Sequence, residues 1–69
     1  MSTDLKLLVD VAWANRNGQV DYQIEFGFVA ASARLVKAGL LVTNSTGPGV
    51  QITGDGWTRI AELEKAVSR

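Results

Sequence analysis

The chain of 69 residues contains no cysteine and no histidine. The first absence excludes a disulfide framework, and the two together exclude the common zinc sites; the seven carboxylates show no calcium-loop spacing. No metal and no cofactor are therefore expected. A domain of about 60 residues buries only about 60% of the surface that its unfolded chain exposes, so stability has to come from a well-packed core or from self-association. Net charge is absent as well, with seven basic residues against seven acidic ones and a pI near 6.1. That balance counts against a strongly electrostatic partner such as bulk DNA or anionic lipid, while leaving room for a local patch. Long apolar runs are missing too. The segment MSTDLKLLVDVAWAN is interrupted by Asp4, Lys6 and Asp10, which reads as neither a signal peptide nor a membrane span, so a cytoplasmic protein with no membrane partner is expected. Catalytic signatures are lacking: there is no GxxxxGK[ST] loop and no nucleophile elbow, and Glu62 and Glu64 point apart on a helix, so the chain is not expected to be an enzyme. Without repeats or low-complexity tracts it reads as one domain over 1–69, and its opening Met suggests a complete small protein.

What is present is a clear succession of elements. Ser2 or Thr3 can cap a first helix that ends near Asn15, where Asn15, Arg16, Asn17 and Gly18 form a turn cluster. Along it Leu5, Leu8, Val9, Ala12 and Trp13 recur at helical spacing as the core face, and Leu7, Val11 and Ala14 lie on a neighbouring apolar face. Gln19 and Val20 suit a very short strand, and Asp21 can cap a brief helix through Tyr22, Ile24 and Glu25 that Gly27 breaks. From Phe28 to Ala38 the pattern is amphipathic: Phe28, Ala31, Ser32, Leu35 and Ala38 gather on one side, and Ala30, Ala33, Arg34 and Lys37 on the other. Gly39 stands at the C-cap position. Leu40 to Thr43 or Asn44 then form a strand, Ser45 to Gly49 a tight turn around Pro48, and Val50 to Thr53 a second strand with apolar residues alternating. Thr53 can cap a last helix in which Trp57, Ile60, Leu63 and Val67 repeat at helical spacing. The fold class is α+β, in the order helix, short strand, short helix, helix, strand, strand, helix.

A helix closing in Ala38-Gly39-Leu40, a glycine-tipped hairpin and a second strand ending in Ile52-Thr53-Gly54-Asp55-Gly56 resemble the winged helix-turn-helix superfamily, in particular MarR-like and PadR-like regulators and the N-terminal domain of Mrr-type restriction enzymes. The resemblance covers about Gly18 to Leu63. It implies that the helix 28–38 enters the DNA major groove and that the hairpin forms a two-stranded wing on the backbone. On that expectation double-stranded DNA is the partner and transcription regulation the function. Ala30 and Ala33 allow close approach, Arg34 suits a bidentate contact with guanine and Lys37 suits phosphate. Ser32 reaches a phosphate from the helix's first turns, and Asn44, Ser45 and Thr46 of the wing add polar contacts. The resemblance also implies a homodimer built on terminal helices, for which Leu7, Val11 and Ala14 supply spare apolar surface.

A second expectation competes. The wing carries no Arg or Lys, although cations are what exchange for the counterions of DNA. With zero net charge and surplus apolar surface, the alternative to DNA binding is that the same fold is a protein-interaction module, an adaptor or inhibitor that binds no DNA. Acidic residues interrupting the face of Arg16, Arg34 and Lys37 would favour this alternative.

Overall fold

The computed structural model describes residues 3–44 and 49–67 of the chain. Helix α1 spans Thr3–Arg16, a single 3-10 turn covers Phe26–Phe28, and α2 follows directly as Val29–Lys37. Strands β1, Leu41–Thr43, and β2, Val50–Ile52, pair antiparallel, and α3 runs Gly54–Val67. Leu41 faces Ile52, Val42 faces Gln51 and Thr43 faces Val50. The architecture is thus a small α+β fold of three helices and a two-stranded sheet.

Two local devices turn the chain at the sheet. Gly39 has φ of 81°, a value that costs glycine little because it has no Cβ. There it lets its own N–H donate to the Val36 carbonyl at 3.0 Å and the Leu40 N–H donate to the Leu35 carbonyl at 3.0 Å. This pair of bonds satisfies the last carbonyls of α2 and aims the chain into β1. At the other end of the hairpin the Thr53 hydroxyl accepts the Gly56 N–H at 3.0 Å and donates to the Gly39 carbonyl at 2.6 Å. One side chain therefore caps α3 and fastens it to the end of α2. Gly56 is buried here, and a Cβ on it would overlap the Leu40 carbonyl oxygen and the Ile52 side chain.

The core draws on all three helices and both strands. Leu7, Leu8, Val11 and Ala12 come from α1, Ala31 and Leu35 from α2, Leu41, Val50 and Ile52 from the hairpin and Ile60 from α3. On β2, exposed Gln51 separates buried Val50 and Ile52, the alternation of a half-buried strand. The α1 face differs from the sequence expectation. The core side is centred on Leu7, Leu8, Val11 and Ala12, whereas Trp13 is 59% exposed. Leu7 at 1% and Val11 at 0% exposure are sealed inside the chain and cannot serve as the dimer interface assigned to them; Ala14 is only half-buried. The sequence offered two adjacent apolar stripes, and α2 with the hairpin pack onto the seam between them.

The segment between α1 and α2 also departs from expectation. No helix forms at 21–25, and the short strand pairing falls at Tyr22 rather than at Gln19 and Val20. Tyr22 donates its N–H to the Val50 carbonyl at 3.1 Å and accepts the Val50 N–H at 2.9 Å, which places it antiparallel along the free edge of β2. Asn15 extends that edge: its Oδ1 accepts the Ile52 N–H at 2.8 Å and its Nδ2 donates to the Gln19 carbonyl at 2.8 Å. Asp21 caps no helix. Its carboxylate accepts the Gly49 N–H at 2.9 Å and the Asn44 side-chain amide at 2.7 Å, closing the base of the hairpin. Bonds to β2 have replaced the intrahelical bonds that a helix would have made, and one 3-10 turn leads directly into α2.

Candidate interaction surface

The outward side of α2 is a ridge of Val29, Ala30, Ala33, Arg34 and Lys37, all exposed, while Ala31, Ser32 and Leu35 face the core. Ser32 is only 8% exposed. Its hydroxyl belongs to the buried side of the helix, which corrects its assignment as a phosphate contact. Arg34 is on the ridge but is engaged. Its Nε donates to Asp4 Oδ2 at 2.9 Å and its Nη2 to Asp4 Oδ1 at 2.7 Å, a bidentate pair joining the start of α1 to α2. These hydrogen bonds hold the Asp4 carboxyl below its ordinary value of 3.8 and raise the Arg34 guanidinium above its own. Lys37 has no hydrogen-bond or ion-pair partner among the described residues.

The surroundings of the ridge are similarly neutralised. Lys6 pairs with Asp10 at 3.2 Å and its ammonium lies 5.6 Å from the Phe28 ring centroid. Arg16 pairs with Glu64 at 3.6 Å and Arg59 with Glu62 at 3.8 Å. Tyr22 is half-buried, and its phenol is pushed above 10 by burial first and then by the negative charges of Asp10 and Glu25. A group surrounded in this way disfavours an approaching phosphate. The hairpin residue Asn44 turns inward: its Nδ2 donates to both Asp21 at 2.7 Å and the Val20 carbonyl at 3.1 Å, which spends the donor expected to contact DNA. Ser45 and Thr46 lie outside the described residues. Asp4 thus neutralises Arg34, and Glu64 neutralises Arg16.

Sequence reasoning gave no role to the most exposed apolar residue of the described chain. Phe26 is 97% exposed at the head of the 3-10 turn, and Val29 is 58% exposed one turn later. With Ala30 and Ala33 they form an apolar strip ending at Lys37. The signal was present in the sequence, since an aromatic before Gly27 has no core position in the pattern of α2, but local pattern alone does not say that it points away. A second apolar surface lies between α1 and α3. Val9, Ala12, Ile60 and Leu63 floor a groove of about 230 Å³, with Trp13, Arg16 and Glu64 also lining it. The Arg16 guanidinium carbon sits 5.8 Å from the Trp13 ring and 5.4 Å from the Trp57 ring, within cation-π range of both.

No protein-family model, curated protein or solved structure matches the chain. Among the described residues no helix is long and apolar enough to cross a membrane. The surface chemistry therefore carries the functional argument.

Proposed function

We propose that the chain is a small protein-interaction module of winged-helix-like architecture that docks through the 3-10 turn and the outward ridge of α2. The observation that carries this reading is the 97% exposure of Phe26. Fully burying a phenylalanine side chain is worth about 1.5–3 kcal/mol, which a partner's surface would supply and the chain's own fold does not. Val29, Ala30 and Ala33 continue the strip at the spacing used when a helix lies in an apolar groove. Lys37 at its end selects a partner with a carboxylate there.

A regulator that reads DNA with α2 is the second reading, favoured by the helix-hairpin-helix order and by Lys37. It carries less weight because Arg34 is held by Asp4, Ser32 is inside and the Asn44 amide is committed. One uncommitted cation on the ridge corresponds to a salt slope of about −0.9, too shallow for a firm grip on the backbone. Two measurements on the intact protein separate the readings. Anisotropy of a labelled random duplex at low salt is expected to stay flat. A photo-crosslinking residue at position 29, introduced in the source cells, is expected to give a discrete protein adduct that is absent from position 61 on exposed α3 and lost with Phe26→Ser. Salt-sensitive duplex binding abolished by Lys37→Ala, or the same adducts from both positions, overturns the proposal.

A further inference from the structure

The ridge of α2 also specifies, by shape and by charge, what can dock on it. Resting on the docking role proposed for that ridge, we infer that its partner is a single α-helix of another protein, lying antiparallel to α2, acidic in its first turn and basic in its last. Shape is the first argument. Phe26, Ala30, Ala33 and Lys37 stand four, three and four residues apart, the alternation that keeps two packed helices together along one seam. The 3-10 turn runs directly into α2, so the exposed strip extends about 20 Å, between three and four turns of a partner helix. Its profile is uneven: a ring that is 97% exposed at one end, two methyl groups in the middle and a long cation at the other. The complement is a helix with a small residue opposite Phe26 and large apolar residues over Ala30 and Ala33, at about 8–10 Å between axes. An extended strand would instead need backbone partners, which a helix has already used within itself. A second copy of α2 is also a poor complement. In a twofold antiparallel crossing on this seam Phe26 meets Lys37 and alanine meets alanine, which leaves the ring without a seat.

Charge is the second argument and sets the direction. Glu25, just before Phe26, and Lys37, at the far end, are both exposed, and neither side chain has a hydrogen-bond or ion-pair partner among the described residues. Lys6, Arg16, Arg34 and Arg59 are all paired within the chain. The strip therefore begins with an uncommitted carboxylate and ends with an uncommitted ammonium. A polyanion would suit Lys37 and be repelled by Glu25. Helices favour acidic residues in the first turn and basic residues in the last, because the macrodipole is positive at the N-terminus and negative at the C-terminus. A partner helix with its acidic first turn beside Lys37 and its basic last turn beside Glu25 satisfies both ends, and that order is antiparallel.

Photo-crosslinking of the intact protein in the source cells, with p-benzoylphenylalanine as the probe at position 29 or at position 37, tests the inference once the attachment sites are located by mass spectrometry. The two positions are eight residues apart on α2, about 12 Å along its axis. That span covers about eight residues of a helix but only about four of an extended strand. Both adducts are expected in one segment of one partner, about eight residues apart, with the site reached from position 37 nearer the N-terminus of that segment. Lys37→Glu should lower the adduct yield from position 29 about three- to tenfold, since an attractive end pair becomes repulsive, and Lys37→Arg should hold it within about twofold. Attachment sites about four residues apart, in separate segments, in the reverse order or on a second copy of this chain overturn the antiparallel helix while leaving α2 as the docking surface, as does a yield indifferent to Lys37→Glu. No discrete adduct from position 29 overturns the docking role itself, and this inference with it.

Discussion

Replacing Asn15 by alanine removes two bonds at once: the 2.8 Å acceptor of the Ile52 N–H and the 2.8 Å donor to the Gln19 carbonyl. The two losses are unequal. Ile52 is 6% exposed, so its N–H loses its partner where water has little access, at a cost of about 1–3 kcal/mol; the exposed bond to Gln19 is worth about 0.5–1.5 kcal/mol. Together they give a loss of about 1.5–4.5 kcal/mol. Against the roughly 3–10 kcal/mol expected for a chain of this length that is a large share, corresponding to at least about 6 °C in Tm. Asn15→Asp separates the contributions, since a carboxylate still accepts from Ile52 but cannot donate to Gln19, and should lose about 0.5–1.5 kcal/mol. Asn17→Ala, which removes the exposed bond to the Trp13 carbonyl, serves as the local control and should cost about the same. Urea unfolding followed by circular dichroism measures all three. A cost below about 0.5 kcal/mol for Asn15→Ala with an unchanged m value would refute the assignment of Asn15 as the partner that completes the β2 edge.

Gly56→Ala should destabilise by about 1–3 kcal/mol in the same assay, because the added methyl meets the Leu40 carbonyl and the Ile52 side chain; a neutral result would mean that α3 shifts freely on the hairpin. Asp4 should titrate below 3.8 by carboxyl-detected NMR and return toward that value in Arg34→Ala. Because its folded pKa is the depressed one, the stability it contributes is present above the unfolded value and lost as pH falls through the folded one, so the unfolding midpoints of wild type and Arg34→Ala should differ at neutral pH and converge in acid. Phe26→Ala should change stability by less than about 0.5 kcal/mol, since a side chain already in water supports nothing in the fold; a larger loss would mean that Phe26 packs within the chain and would remove it from the docking surface.

Features governed within about one turn of helix or one strand are legible in the order of the residues alone. The end of α1 near Asn15, the glycine cap at Gly39, the alternation in Val50-Gln51-Ile52 and the Thr53 cap all stand as read, because capping and side-chain periodicity depend on neighbours only a few residues away. The outward set of Ala30, Ala33, Arg34 and Lys37 was legible for the same reason. Tertiary structure decided the rest. Periodicity marked two apolar stripes on α1, but only the positions of α2 and the hairpin chose Leu7 and Val11 for the core and left Trp13 outside. The brief helix at 21–25 gave way to Tyr22 pairing with Val50, since an open strand edge offers backbone partners that local propensity cannot anticipate. Arg34 looked like a free cation until Asp4, 30 residues earlier in the chain, was brought beside it, and Asn15 looked like a turn residue until Ile52, 37 residues later, arrived with an unpaired N–H. Charge and hydrogen-bonding capacity are written in the residues; which of them remain available to a partner is settled only when the fold has finished using the others.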